Sequence, residues 1–178
     1  MVYLFLADGF EEVEALAPLD ILRRAGIEVT TIGVTGELVT GAHGITVKAD
    51  CGLDAVALEK VDAVILPGGL GGTNNLDASD AVKKAVQYAY DNKKLVCAIC
   101  AAPSILGKMG ILSGKKATCY PGFEEYFDGG IYTGDSVTKC GNIITADGMG
   151  SAYKFGFAIT AELCGEAKAE EIKKQIQY

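Results

Sequence analysis

Leu95-Val96-Cys97-Ala98-Ile99-Cys100-Ala101-Ala102-Pro103-Ser104-Ile105-Leu106 changes character at a single residue. The first five positions form an apolar run of strand length, and its Val, Leu and Ile content fits a strand covered on both faces. The positions after Cys100 read as the start of a helix. Cys100 therefore sits where a buried strand turns into a helix, the geometry of a nucleophile elbow. There a tight turn lifts the side chain above the sheet, and small neighbours, here Ala98 and Ala102, let strand and helix approach closely.

Similar apolar runs recur at Val2 to Ala7, Glu28 to Val34, Val61 to Leu66, Ala117 to Cys119 and Asn142 to Ala146. Amphipathic runs of helix length lie between them. Glu11 to Ala25 closes on Gly26, and Asp80 to Asn92 is capped by Ser79. Further helices are expected just after Cys100 and near Gly150. The alternation predicts an α/β fold with a mostly parallel central sheet, folded as a single domain over 1–178. Two segments interrupt it, Gly36 to Ala49 and Gly129 to Gly141, and each is expected to hold a hairpin or strand excursion.

The formal net charge of −7 argues against a nucleic-acid partner, because such binding draws its affinity from Lys and Arg neutralising phosphates. The apolar N-terminus breaks at Asp8 and has no basic leader, so neither a membrane partner nor export is expected and the predicted location is cytoplasmic. Six cysteines are scattered through apolar runs and read as reduced thiols. One His and no Cys/His cluster predict no metal.

In open α/β sheets ligands bind outside the carboxyl ends of the strands. Five unusual clusters each follow a predicted strand: Asp8-Gly9-Phe10-Glu11-Glu12-Val13-Glu14, Pro67-Gly68-Gly69, Cys100-Ala101-Ala102-Pro103, Cys119-Tyr120-Pro121 and Asp147-Gly148-Met149-Gly150. All five should meet at one sheet edge. A thiol at a helix N-terminus is expected to gain thiolate character. The bland alternative for Cys100 is an inert buried thiol, the fate expected for Cys97, Cys51, Cys140 and Cys164. A Cys97–Cys100 redox pair is disfavoured, because three residues of strand separate the two by about 10 Å. Pro67-Gly68-Gly69 reads either as a flexible turn or as a cradle of backbone N–H groups for an oxyanion. Glu11 and Glu12 are explained as solvated acids at a helix N-terminus. Glu14 is the acid that helical spacing turns inward, where burial would raise its pKa and let it share a proton with a cysteine.

Three segments then resemble the ThiJ/PfpI superfamily, in the branch of the Parkinsonism-associated protein deglycase and its bacterial relatives. They are Gly9-Phe10-Glu11-Glu12-Val13-Glu14 running on to Pro18-Leu19-Asp20-Ile21-Leu22-Arg23-Arg24-Ala25-Gly26, Leu66-Pro67-Gly68-Gly69, and Ala98-Ile99-Cys100-Ala101-Ala102-Pro103. The resemblance covers essentially the whole chain. It implies a flavodoxin-like three-layer sandwich, a homodimer with Asp20, Arg23 and Arg24 near the interface, and no cofactor. It also implies Cys100 as nucleophile, Glu14 as its protonated carboxyl partner, and the backbone N–H groups of Gly69 and Ala101 as oxyanion hole. Gly68, Tyr120, Asp147 and His43 complete the expected pocket, His43 near the partner subunit's site or as a solvated loop residue.

The chain departs from the family where many members carry a His, at Tyr120, and where an Arg often stands, around Asp147. The protease branch usually has His directly after the nucleophile, where Ala101 stands. Glutamine amidotransferases of similar fold need a downstream His, and none follows Cys100. The expected function is a glyoxalase or deglycase acting on small reactive dicarbonyls or their adducts. The alternative is an oxidative-stress sensor or redox-regulated chaperone using the same cysteine without turnover.

Overall fold

The computed structural model describes residues 1–178. In chain order the elements are β1 (Val2–Leu6), α1 (Glu12–Arg24), β2 (Val29–Gly33), β3 (Leu38–Thr40), β4 (Thr46–Lys48), β5 (Cys51–Gly52), β6 (Ala63–Leu66), α2 (Leu70–Ala78), α3 (Asp80–Asp91), β7 (Leu95–Ile99), α4 (Pro103–Lys108), β8 (Lys116–Ala117), β9 (Ile131–Tyr132), β10 (Val137–Cys140), β11 (Ile143–Ala146), α5 (Ala152–Cys164) and α6 (Glu166–Gln175).

Seven strands form one sheet in the order β10-β11-β7-β6-β1-β2-β5. Every neighbouring pair runs parallel except β10 with β11. Alternation along the strands sends Tyr3, Phe5, Val64, Leu66, Val96 and Ala98 to one face, under α3 residues Val82, Ala85, Val86 and Ala89. Leu4, Leu6, Ile65, Cys97 and Ile99 face the other way, under Ala15 and Leu22 of α1 and Phe155 and Ile159 of α5. Both faces are covered, so the strands carry no polar face, and three layers result. Helices α1 and α5 approach closely because Gly156 lies on Pro18 and Ile21; a Cβ at Gly156 would stand 3.1 Å from Pro18 Cα and 2.9 Å from Ile21 Cδ1.

The order reverses at β1: β2 lies on one side of it and β6 on the other. This is the switch point at which open α/β sheets form a crevice. The carboxyl ends of β1, β6, β7 and β11 lead into Asp8–Glu11, Pro67–Gly69, Cys100 and Asp147 along the same edge.

Two expectations need correction. The Ala117 to Cys119 run is not a strand of the central sheet; β8 ends at Ala117 and pairs with β9 in a small separate sheet. Thr118 leaves the ladder because its N–H donates to Thr145 Oγ1 at 2.8 Å, and the chain then crosses to the Cys100 turn. The turn or cradle expected at Pro67–Gly69 passes directly into helix α2, which was not among the expected helices. Its glycines serve close approach: a Cβ at Gly72 would lie 2.6 Å from Phe10 Cα, so α2 packs directly on the Phe10 backbone. The two interruptions do hold what was expected of them: 36–49 is a hairpin of β3 and β4, and 129–141 holds two strand excursions, β9 pairing with β8 and β10 with β11.

Candidate active site

Cys100 follows β7 directly and has φ +64°. A non-glycine residue held in the left-handed region costs on the order of 1–3 kcal/mol, and neighbouring strands hold it there. Its N–H donates to the Ala146 carbonyl at the end of β11 (2.9 Å), and its carbonyl accepts the Tyr120 N–H at 2.8 Å. Both backbone groups of the strained residue are thus satisfied from outside its own turn. The strained elbow expected from the sequence is present.

Glu14, in the first turn of α1, is 1% exposed. The start of α1 is fixed by Glu11, whose carboxylate accepts the Glu14 N–H at 2.7 Å. The Glu14 Oε2 accepts the Gly68 N–H at 2.9 Å, and its carboxyl lies beside the Cys100 side chain across Gly68, close enough for each group to shift the other's ionisation. Gly68 is required at this point: a Cβ there would stand 2.6 Å from Cys100 Cβ and overlap Glu14 Oε2. Gly69, at φ +84°, lies so close to the Gly9–Glu11 loop that a Cβ would meet Glu11 N at 2.6 Å. The N–H groups of Gly69 and Ala101 have no backbone acceptor among the turn and loop hydrogen bonds, and both interact with the Cys100 sulfur.

Burial is the largest influence on Glu14 and raises its pKa to about 7. The charges of Glu11 and Asp147 push the same way, against the hydrogen bonds from Cys100 and Gly68. Burial likewise pushes the Cys100 thiol up, to about 12, reinforced by the charge and hydrogen bond of Glu14 and opposed by the Gly69 and Ala101 N–H groups. The expectation of a thiolate favoured by position alone is corrected. The helix that follows is only six residues long and starts at Pro103, and the charged groups acting on Glu14 are acids. Around neutrality the pair passes from neutral to a single negative charge on the Glu14 carboxyl, and a second charge, on the sulfur, is strongly resisted.

Tyr120, 53% exposed, reaches the site through its backbone bond to Cys100. With Leu70, Ala101 and Phe123 it lines a cavity of about 280 Å³ that opens on Cys100. Asp147 lines a neighbouring cavity of about 380 Å³ on the other side of Tyr120. His43 is not brought to Cys100 within this chain. Its Nδ1 is 2.8 Å from Glu12 Oε2, and Glu12 also accepts the His43 N–H at 2.7 Å. Glu12 is therefore a buried carboxylate rather than the solvated acid expected, while Val13 beside it is exposed. Its burial was missed because it depends on the hairpin folding over α1, with Gly41 leaving room for it. Glu11, Glu12 and His43 bring ligand-type atoms within 4.8 Å of one another, but these groups already cap the helix and hold the hairpin.

All six cysteines are free. Cys97 and Cys119 are buried, whereas Cys51 and Cys140 are half-buried and Cys164 is exposed, which corrects the expectation that the last three are inert core thiols. No helix is long and apolar enough to cross a membrane.

The model of the DJ-1/PfpI family matches residues 1–162. Among curated relatives, protein dj-1beta of Drosophila melanogaster is 42% identical over 172 residues, covering 95% of this chain and 92% of its own. A deglycase of Pyrococcus abyssi is 30% identical, covering 85% and 92%. Among solved structures, oxidized Toxoplasma gondii DJ-1 superposes with TM-score 0.95 at 34% identity, covering 99% of this chain and 97% of that one. Drosophila DJ-1beta gives 0.94 at 40% identity, covering 99% and 96%. With the flavodoxin-like layers, the strained Cys100 and its Glu14 partner already in place, these matches settle the family: the chain belongs to the DJ-1/PfpI family.

Proposed function

We propose that the protein is a cysteine-dependent, cofactor-independent glyoxalase or protein deglycase acting on reactive dicarbonyls or their adducts. The observation that carries this reading is the placement of the buried Glu14 carboxyl beside the strained Cys100 across Gly68, where burial pushes the carboxyl up to about 7. A group with that pKa accepts and returns protons with equal ease at neutral pH. As the sulfur attacks the aldehyde carbon, the S–C bond forms and the carbonyl π pair moves to oxygen, facing the Gly69 and Ala101 N–H groups. Glu14 takes the thiol proton and returns it to that oxygen, giving a hemithioacetal. Glu14 then removes the proton from the former aldehyde carbon, and a proton returns to the adjacent carbon, leaving the thioester of a 2-hydroxy acid. Water hydrolyses it and restores the thiol. An amine adduct reaches the same hemithioacetal when the thiol displaces the amine.

The relatives named as a deglycase and as DJ-1 proteins support the general class. A steady-state assay with methylglyoxal under reducing conditions, comparing wild type with Cys100→Ser, tests it. Lactate from the wild type alone is expected; no lactate from a protein with intact Cys100 would overturn it.

The second reading is a stress sensor or redox-regulated chaperone. The donors at the sulfur favour it: two N–H groups and a protonated Glu14 suit the oxygens of a sulfenate or sulfinate. The raised thiol pKa weighs against it, because thiolate character sets susceptibility to oxidation. Under either reading we assign the protein to the cytoplasm as a homodimer, and a monomer in solution light scattering would remove the dimer.

A further inference from the structure

Tyr120 is a wall between two unlike cavities. The one that contains Cys100 is lined otherwise by Leu70, Ala101, Tyr120 and Phe123, so apart from the thiol and the Ala101 backbone the one polar side-chain atom its lining residues carry is the Tyr120 hydroxyl. The other holds Asp147 together with Met149 and Ser151. Neither is lined by a Lys, Arg or His. The apolar cavity is a built feature. The Tyr120 N–H is fixed on the Cys100 carbonyl, and the Phe123 N–H donates to the Tyr120 carbonyl at 3.1 Å. That turn presents both rings to one space, and the Phe123 ring is steadied by a tilted contact with Tyr126 at 6.3 Å between centroids.

We infer that the site selects uncharged α-oxoaldehydes carrying an apolar substituent of about phenyl size and discriminates against those carrying a carboxylate or phosphate. The inference rests on the glyoxalase reading and names the substrate class within it. A volume of about 280 Å³ lies just below the range of pockets for drug-sized ligands, roughly 300–1,000 Å³, and so suits a small ligand. A methyl group leaves most of the apolar wall wet, whereas an aryl group covers Leu70 and Phe123 and removes their surface from water. An anionic substituent finds no basic partner in either cavity, and the nearest acids, Glu14 beside Cys100 and Asp147 across Tyr120, carry its own sign, so its desolvation goes uncompensated.

The test is kcat/KM for phenylglyoxal, methylglyoxal and 4-carboxyphenylglyoxal, each divided by the rate at which N-acetylcysteine adds to the same aldehyde, which removes intrinsic electrophilicity. Phenylglyoxal is expected at least about tenfold above methylglyoxal, and 4-carboxyphenylglyoxal, of nearly the same size but anionic, at least about tenfold below phenylglyoxal. Leu70 is exposed, so Leu70→Ser retains the fold and is expected to cut the phenyl-to-methyl ratio about threefold or more. A ratio at or below one in the wild type, or one unchanged by Leu70→Ser, overturns the inference. If no aldehyde is turned over, the glyoxalase reading fails, and the preference is read instead from protection of Cys100 against iodoacetamide. Protection by phenylglyoxal at roughly tenfold lower concentration than methylglyoxal supports the apolar site; equal concentrations refute it.

Discussion

Glu12 and Glu14 lie two residues apart in the first turn of α1, are 5% and 1% exposed, and differ in charge state. Burial is the largest influence on both and raises both. For Glu12 the hydrogen bonds from the His43 ring, the His43 N–H and the Ile45 N–H outweigh it, and the pKa falls below its ordinary value. For Glu14 the donors are one backbone N–H and a thiol, the neighbouring charges of Glu11 and Asp147 are negative, and the pKa rises to about 7. The helix N-terminus is common to both and so does not distinguish them. Donors and neighbouring charges separate a structural carboxylate from one suited to carry protons.

The largest expected effect of that difference is on turnover. Glu14→Gln should lower kcat/KM for methylglyoxal by about 10²–10⁴, the range for losing a general acid/base, while Glu12→Gln, which leaves the Cys100 partner in place, should lower it by less than about tenfold. Steady-state assays of the two variants side by side check this. Equal losses would break the distinction.

Next in size is the dependence of stability on pH. A group whose folded pKa is raised contributes stability that is fully present below its unfolded pKa and lost as pH rises through the folded value. Glu14, moved from 4.5 to about 7, should therefore cost the fold about 3 kcal/mol as pH climbs through that window. Denaturant unfolding at pH 5 and pH 8 should show this loss in the wild type and its absence from Glu14→Gln.

Glu12 behaves in the opposite sense. Its folded pKa is depressed, so its stabilisation is present above the unfolded value and fades as pH falls through the folded one. Glu12→Gln should cost about 2 kcal/mol at pH 7, the scale of hydrogen bonds to a buried charge, and less in acid. The smallest effect belongs to His43→Ala, because the imidazole is exposed and solvent screens the pair. The Glu12 partner raises the His43 pKa, so this contribution is present below about 6.5 and lost as pH rises through the raised value. Thermal melts at pH 6 and pH 9 should show the larger decrement at pH 6.

The same pair of residues marks how far the sequence could be read. The elbow was legible because Leu95 to Ile99 is an uninterrupted apolar strand and Ala98 and Ala102 are small; Glu14 turning inward followed from helical spacing. Glu12 was not legible as a buried residue, since its cover comes from a hairpin some thirty positions away and from the missing side chain of Gly41. Helix α2 was obscured because Leu-Gly-Gly-Thr-Asn-Asn is poor in helix formers and is held by backbone contact with Phe10 instead. The rise of the thiol pKa depends on burial and on the Glu14 charge, neither of which spacing reveals.

The central claim is that Glu14, not Cys100, carries the proton equilibrium near neutrality. Carbon-13 NMR of the glutamate side-chain carboxyls measures it directly, with Glu14→Gln and Glu12→Gln assigning the two signals by their loss. The signal missing from Glu14→Gln should titrate at about 7 and the one missing from Glu12→Gln below 4.5. Both signals titrating below 4.5, in the ordinary carboxylate range or lower, would contradict the account.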